Sequence, residues 1–343
     1  MSPIRTAVAV LGVVVVAACD IPTSLPKVDQ RWILPADTMS ISVDQMLPSG
    51  VTVSDGAFAL TVDPFTAGEA LGTLCDVCTN GPAVSVPPFD ATFTDTQPLP
   101  LDVQAVTLAS GSVQVAIHNG FSFDPIAGGG TLTITLRDSV AGTVMGQVVL
   151  DGATDALPPD ATVQRTVALS PGAVGPTLLV ASEVNSVGGQ RATFVNTADS
   201  LVVTATPSGL LASSATVDVS NRSVSISPMS LDVGGLDQSI VDHILEGSIV
   251  LDVANPFGVA FGGTLVIDYP GGQVSKQVSV PGGVSTSTTV DYSQDEFRQF
   301  LGQDNVSVSG TATIAPNAGA VTVTPSQQVD LQAKIDLTLE IGG

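Results

Sequence analysis

Few residues in this chain can do chemistry. Its 343 residues include three Cys and two His, and two of the Cys form the run Cys75-Asp76-Val77-Cys78. A C-x-x-C pair can close a small disulfide loop, run thiol–disulfide exchange, or supply two ligands to a metal. In an exported chain the disulfide is the default. Redox use needs a helix N-terminus to lower a thiol pKa, and here the turn Thr79-Asn80-Gly81-Pro82 follows instead. A metal needs two further ligands, and His118 and His243 lie far away in sequence. The expectation is a structural Cys75–Cys78 disulfide, with redox and metal uses as alternatives. Both His are expected to be solvent-exposed or hydrogen-bonded.

Carboxylates are abundant. There are 32 Asp+Glu against 10 Lys+Arg, a formal charge of −22. That balance excludes nucleic acid, whose phosphates need clustered Lys and Arg, and it disfavours anionic lipid headgroups. Asp-rich turns at 90–95, 151–155 and 291–296 offer hard oxygen ligands, but none has EF-hand spacing. A solvated acidic surface is the leading expectation and calcium the alternative. A glycosidase needs two carboxylates about 5–10 Å apart. With 27 Asp, chance supplies such a pair, so that criterion decides nothing. There is no G-x-S-x-G elbow, Walker A or dinucleotide fingerprint. The expectation is no catalytic residue, no metal site and no cofactor.

The third Cys sits behind a processing signal. Met1 to Arg5 supplies one basic side chain, and Ala7 to Ala18 is a 12-residue uncharged run ending at Cys19. A membrane-spanning helix needs about 20 apolar residues, so this run reads as a signal-peptide core. Val16-Ala17-Ala18-Cys19 resembles the bacterial lipobox, an aliphatic residue and two small ones before a Cys whose thiol accepts a diacylglyceryl group. The resemblance implies a lipoprotein whose palmitate-bearing N-terminus anchors it to the membrane, since several acyl chains hold stably where one does not. Asp20 follows, the residue that in enteric bacteria can retain lipoproteins in the inner membrane. That rule does not transfer to every lineage, and the outer membrane is the expected location, on its periplasmic or surface face. Cleavage before Cys19 removes Arg5 and leaves nine basic against 32 acidic residues, −23.

These groups must be positioned by strands. The 27 Asp outnumber 5 Glu, and Asp favours turns where Glu favours helix. With 34 Gly, 23 Pro and much Val and Thr, the composition is that of short strands joined by polar turns. The chain also repeats itself. Gly111-Ser112-Val113-Gln114-Val115-Ala116-Ile117-His118-Asn119-Gly120-Phe121 matches Gly247-Ser248-Ile249-Val250-Leu251-Asp252-Val253-Ala254-Asn255-Pro256-Phe257 at an offset of 136. Gly130-Thr131-Leu132-Thr133-Ile134 then matches Gly263-Thr264-Leu265-Val266-Ile267 at an offset of 133. Each unit reads as strand, turn, strand. Further alternating runs are 163–169, 201–205, 223–226, 306–308, 321–323 and 329–341. In the last, Leu331, Ala333, Ile335, Leu337, Leu339 and Ile341 share one face. Ser293-Gln294-Asp295-Glu296 is a capping box ahead of Phe297, Phe300 and Leu301, with Gly302 as the stop. A second turn of helix fits 238–245.

Val253-Ala254-Asn255-Pro256-Phe257, the later helix, and Val306-Ser307-Val308-Ser309-Gly310 resemble, in that order, the water-stress and hypersensitive-response (WHy) domain shared with type-2 late-embryogenesis-abundant proteins. The resemblance covers roughly 247–341, and a thinner version covers 111–219 in which Gly120 replaces the Pro. It implies a small Ig-like β-sandwich without catalytic activity and names no ligand.

The expected fold is mostly β, with tandem Ig-like antiparallel β-sandwiches and one short helix. The expected order is a signal peptide at 1–18, a lipidated tether at 19–35, an N-terminal β module at 36–100, and sandwich repeats at 101–235 and 236–343. Within the module, 56–65 echoes the repeat motif weakly. At the two turns Asn119, Phe121, Asn255, Pro256 and Phe257 are expected to be structural, with both rings folded over an open sandwich end. The expected function is a non-catalytic, lipid-anchored envelope protein with a structural or binding role, whose protein or polymer partner the sequence does not name. The alternatives are a calcium-stabilised, adhesin-like surface protein and a secreted hydrolase.

Overall fold

The computed structural model describes residues 27–189 and 191–342, so Cys19 and the expected signal peptide at 1–18 lie outside the described residues. The chain starts with β1 (Val28–Ser42), one 3-10 turn at Val43–Met46, and a hairpin of β2 (Val51–Ser54) and β3 (Ala57–Leu60). β4 (Phe65–Ala70) runs into the single-turn α1 (Leu71–Leu74), followed by β5 (Gly81–Val84) and β6 (Phe89–Pro98). Next come β7 (Val103–Asn119), β8 (Thr131–Asp138), β9 (Val144–Asp151) and β10 (Thr162–Ala168). β11 (Gly172–Val174), β12 (Thr177–Ser186), β13 (Thr193–Val195) and the 19-residue β14 (Ser200–Asp218) follow. β15 (Ser223–Leu231), α2 (Gln238–Val241), β16 (Ile244–Ala254), β17 (Phe261–Tyr269), β18 (Gly272–Val280) and β19 (Ser285–Tyr292) open the last third. α3 (Gln294–Phe300), β20 (Val306–Ile314), β21 (Ala320–Val323) and β22 (Gln328–Ile341) complete it.

The fold is mostly β, and its strands form two antiparallel sandwiches built alike. In one, a sheet ordered β10-β7-β14-β4 faces a sheet ordered β6-β12-β8-β9. In the other, β19-β16-β22-β1 faces β15-β20-β17-β18. The two orders correspond strand for strand. Inward residues alternate as the sequence requires: Val113, Val115 and Ile117 of β7 are buried, as are their counterparts Ile249, Leu251 and Val253 of β16. The edge strands correspond too. β4 and β1 place Ala67 and Met39 opposite the equivalent Val203 and Leu331. Each then enters a single helical turn that buries its first and last residues, Leu71 and Leu74 in one, Val43 and Met46 in the other.

This correspondence reveals a nesting that the tandem order missed. The first strand of the second sandwich is β1, which precedes the whole first sandwich, and its second strand is β15. One repeat is inserted inside the other. Arg222, in the turn between β14 and β15, ties the crossing together. Its guanidinium donates to Leu47 O (3.2 Å), to Asp218 O (3.2 Å) and to Asp102 Oδ2 (2.8 Å). β21, from the second repeat, pairs with the end of β14.

Three expected boundaries are corrected. Val28 to Pro35 belong to β1 and pair with β22, so they are not tether. The edge position and a register irregularity between Pro35 and Thr38 make room for the proline there. Residues 36–100 are not a separate module, and 56–65 is not a third copy. β14 is long enough to pair with β7 along one side and with β4, β3 and β21 in succession along the other, so β2 to β4 extend the first sandwich. The break between repeats falls near Ser220 rather than 235, because β15 pairs with β20. Among the described residues there are three short α-helices: α3 is the capped helix expected, α2 falls within the second turn expected at 238–245, and α1 was not expected. α3 carries the capping box and buries Phe297 and Phe300 against Tyr292. α2 ends at Val241, with its Asp237 side chain accepting from Ser239 N.

Candidate functional site

The two repeat turns are held by one hydrogen-bond scheme. Asn119 Nδ2 donates to Phe123 O (2.8 Å), and Asn255 Nδ2 donates to Val259 O (2.7 Å), each four residues on. Asn119 Oδ1 accepts from Phe121 N (2.9 Å), and Asn255 Oδ1 accepts from Phe257 N (3.2 Å). Both Asn are buried, at 0% and 1% exposure, so their polar atoms serve the chain's own backbone. Asn119 makes two further bonds, to Leu157 O (2.8 Å) and Pro158 O (3.1 Å), because the β9–β10 connection lies over its turn. The β18–β19 connection is shorter: it gives Val284 O to the Asn255 N–H but no carbonyl to Asn255 Nδ2. That difference sorts the two rings. Phe121 is buried and stacks on Phe123 at 5.4 Å, whereas Phe257 is only half-buried. Both rings pack against the core, Phe121 fully covered and Phe257 only in part. Gly120 stands where Pro256 does because its N–H donates to Ser200 O (2.9 Å) and a Cβ would meet that oxygen at 2.6 Å.

Cys75 and Cys78 are joined by a disulfide just past α1. Cys75 is buried and its N–H bonds Leu71 O, so it closes the C-terminal end of a helical turn, where no amide dipole favours a thiolate. His118 and His243 sit in different sandwiches. The former faces Thr162 Oγ1 at 3.3 Å, and the latter donates from Nδ1 to Ser239 O at 2.6 Å. Both are exposed.

The Asp-rich turns spend their oxygens locally. Asp151 Oδ1 accepts from Ala153 N (2.9 Å), Asp155 accepts from Asp151 N and Arg165, and Asp95 accepts from Thr96 N. Glu296 takes Ser293 N and Lys276. Among the described residues no group of three or more His, Cys, Asp or Glu is placed to hold a metal ion.

A polar cleft of about 540 Å³ lies on the outer face of the β19-β16-β22-β1 sheet, lined by Arg31, Glu246, Asp291 and Asp336 among others. Arg31 Nε donates to Asp336 Oδ1 (2.8 Å), and this pairing holds the Asp336 carboxyl below its ordinary value. Lys334 does the same for Asp252 on that face. Asp138, nearly fully buried, is another anion. Burial alone would raise its pKa, but the amides of Ala141, Gly175 and Val140 outweigh that and the net shift is downward. A general acid needs a carboxyl raised toward neutrality, and these carboxyls are lowered.

Sequence reasoning missed Arg222, Asp138 and Trp32. Trp32 lines an apolar cleft at the start of β1, with Ile240, Leu339 and Ile341. The unbroken alternation of 329–341 pointed toward that end of β22, but its partner strand lay too far off in sequence to recognise.

No protein-family model matches the chain, and no curated protein matches it. A candidate secreted protein from Parabacteroides distasonis aligns over 90% of this chain and 99% of its own at 10% identity, with a TM-score of 0.29. An arabinose-bound α-L-arabinofuranosidase aligns over 53% of this chain and 23% of its own at 13% identity, with a TM-score of 0.24. A structure of infectious bursal disease virus aligns over 94% of this chain and 81% of its own at 11% identity, with a TM-score of 0.18. Superpositions this loose transfer no functional residue.

Proposed function

We propose that this protein is a non-catalytic lipoprotein of the bacterial cell envelope. Residues 1–18 are its signal peptide, Cys19 carries the lipid, and the folded part has a structural or binding role, on the outer membrane facing the periplasm or the surface. The observation that carries this reading is Val16-Ala17-Ala18-Cys19 at the end of a 12-residue apolar run. Only seven residues separate Cys19 from Lys27, the residue before β1, which gives a short leash rather than a linker between domains. Among the described residues no helix is long and apolar enough to cross a membrane, so the lipid is the anchor this reading names. The non-catalytic part rests on the turn Asn side chains being used up internally, on carboxyls held as anions, and on the resemblance to the WHy sandwich.

Cys19→Ser tests it. The variant should lose lipid labelling and leave the membrane fraction, or accumulate as precursor. Retention of a mature-size chain, cleared of residues 1–18, in membranes after a carbonate wash contradicts the reading.

A further inference from the structure

Trp32 is the chain's single Trp. It is half-buried and lines an open cleft of about 290 Å³ with Ile240, His243, Leu339 and Ile341. The cleft lies at the end of the sandwich where β1 begins and β22 finishes, since Val28 pairs with Ile341 and Gln30 with Leu339. Apolar side chains are left in water there. Val28 is 57% exposed, Ile341 45% and Leu245 43%. Leu331, Ala333, Ile335, Leu337 and Leu339 are all buried, so Ile341 carries the same apolar face past the core and out of the protein. Clustered exposure of this kind marks a contact surface rather than scatter.

The chain also arrives at this rim. The eight residue-to-residue steps from Cys19 to Lys27 reach at most about 29 Å when fully extended. The other sandwich is joined at the opposite end of β1, a 15-residue strand and hence about 45–50 Å away. A lipid on Cys19 therefore holds the Trp32 end against the bilayer and leaves the inserted repeat distal. The formal charge of −22 opposes attraction to anionic headgroups, so contact has to come from apolar side chains.

We infer that this rim docks on the lipid surface, with Trp32 at headgroup level and Val28, Leu245 and Ile341 turned toward the acyl boundary. Indole side chains favour that depth. The inference rests on the lipid-anchor reading of Cys19 for delivery to the bilayer, and its test is built so that the two fail separately. The chain from Cys19 onward is coupled through that thiol to a maleimide lipid in phosphatidylcholine vesicles, the other two Cys being joined to each other. Attachment then does not depend on lipidation in the cell. Because Trp32 is the only Trp, emission reports the rim alone.

The expected result is a blue shift on vesicles and quenching of the emission when the acyl chains are brominated. High salt should leave both unchanged. A Val28→Ser, Leu245→Ser, Ile341→Ser variant should lose the quenching while its thermal melt stays cooperative. Emission that matches the free chain and ignores brominated lipid overturns the inference. Emission that shifts blue without bromine quenching also overturns it, because a second copy or another segment then covers the rim. Absence of lipid on Cys19 in the native protein would sink the anchor reading while leaving this result standing.

Discussion

Asn119 and Asn255 lie 136 residues apart and hold their turns by the same pair of bonds, from Nδ2 to the carbonyl four residues on and from the amide two residues on to Oδ1. Their main-chain N–H groups also match, donating to Ala161 O and Val284 O at 2.9 Å each. Two unrelated hairpins would not share this set. With the matching strand orders, it makes the two sandwiches copies of one unit.

The shared bonds have unequal weight. Asn119 also satisfies Leu157 O and Pro158 O, so its loss orphans more buried carbonyls. Asn119→Ala should cost about 2–3 kcal/mol and Asn255→Ala about 1–2 kcal/mol. Urea melts of the whole chain measure both, and equal costs would show that the extra bonds to the β9–β10 connection contribute nothing.

The rings separate further. Phe121→Ala should cost about 3–5 kcal/mol, because the side chain is fully buried and stacked. Phe257 keeps part of its surface in water, and Phe257→Ala should cost about 1–2 kcal/mol. If Phe257→Ala proves the costlier change, the two turns have been assigned the wrong way round.

Nesting predicts how the chain can be cut. A fragment covering residues 220–343 lacks β1, leaving one side of β22 unpaired and the Leu331–Leu339 face short of its neighbour. It should fail to melt cooperatively, and a synthetic peptide of residues 27–47 should restore the transition. A fragment that folds fully without the peptide would mean β1 is dispensable to the second sandwich.

Much of this was legible in the sequence, for local reasons. The alternation of β7, β16 and β22 follows from period-two burial, and the Ser293 capping box is a four-residue signal read without tertiary knowledge. β1 was not legible. Lys27 precedes it, it includes Arg31 and Pro35, and its ladder runs to residues about 300 positions away, so no nearby segment betrays the pairing. The insertion was hidden for the same reason, since β1 and β4 share geometry but little sequence. The two Asn could be located as the points where an alternating strand runs into a turn, yet how deeply Phe257 is covered depends on a connection whose path the sequence does not reveal.

Asp138 gives the fold a pH dependence. Burial would push its carboxyl up, but backbone amides led by Ala141 N (2.6 Å) pull it below the ordinary 3.8. A depressed carboxyl adds stability that is fully present above its unfolded pKa and is lost as pH falls through the folded value. Asp138→Ala should cost about 2–3 kcal/mol at neutral pH. That gap should narrow below about pH 4, since the unfolded carboxyl titrates near there. Paired melts at pH 7 and at about pH 2 read it, and a gap independent of pH would mean the carboxylate's charge plays no part.

The central claim is the anchor, and intact-mass analysis of the mature N-terminal peptide reads it most directly. The account predicts a chain beginning at Cys19 whose first residue carries a diacylglyceryl group. A mature chain that begins elsewhere, or an unmodified thiol at Cys19, contradicts it.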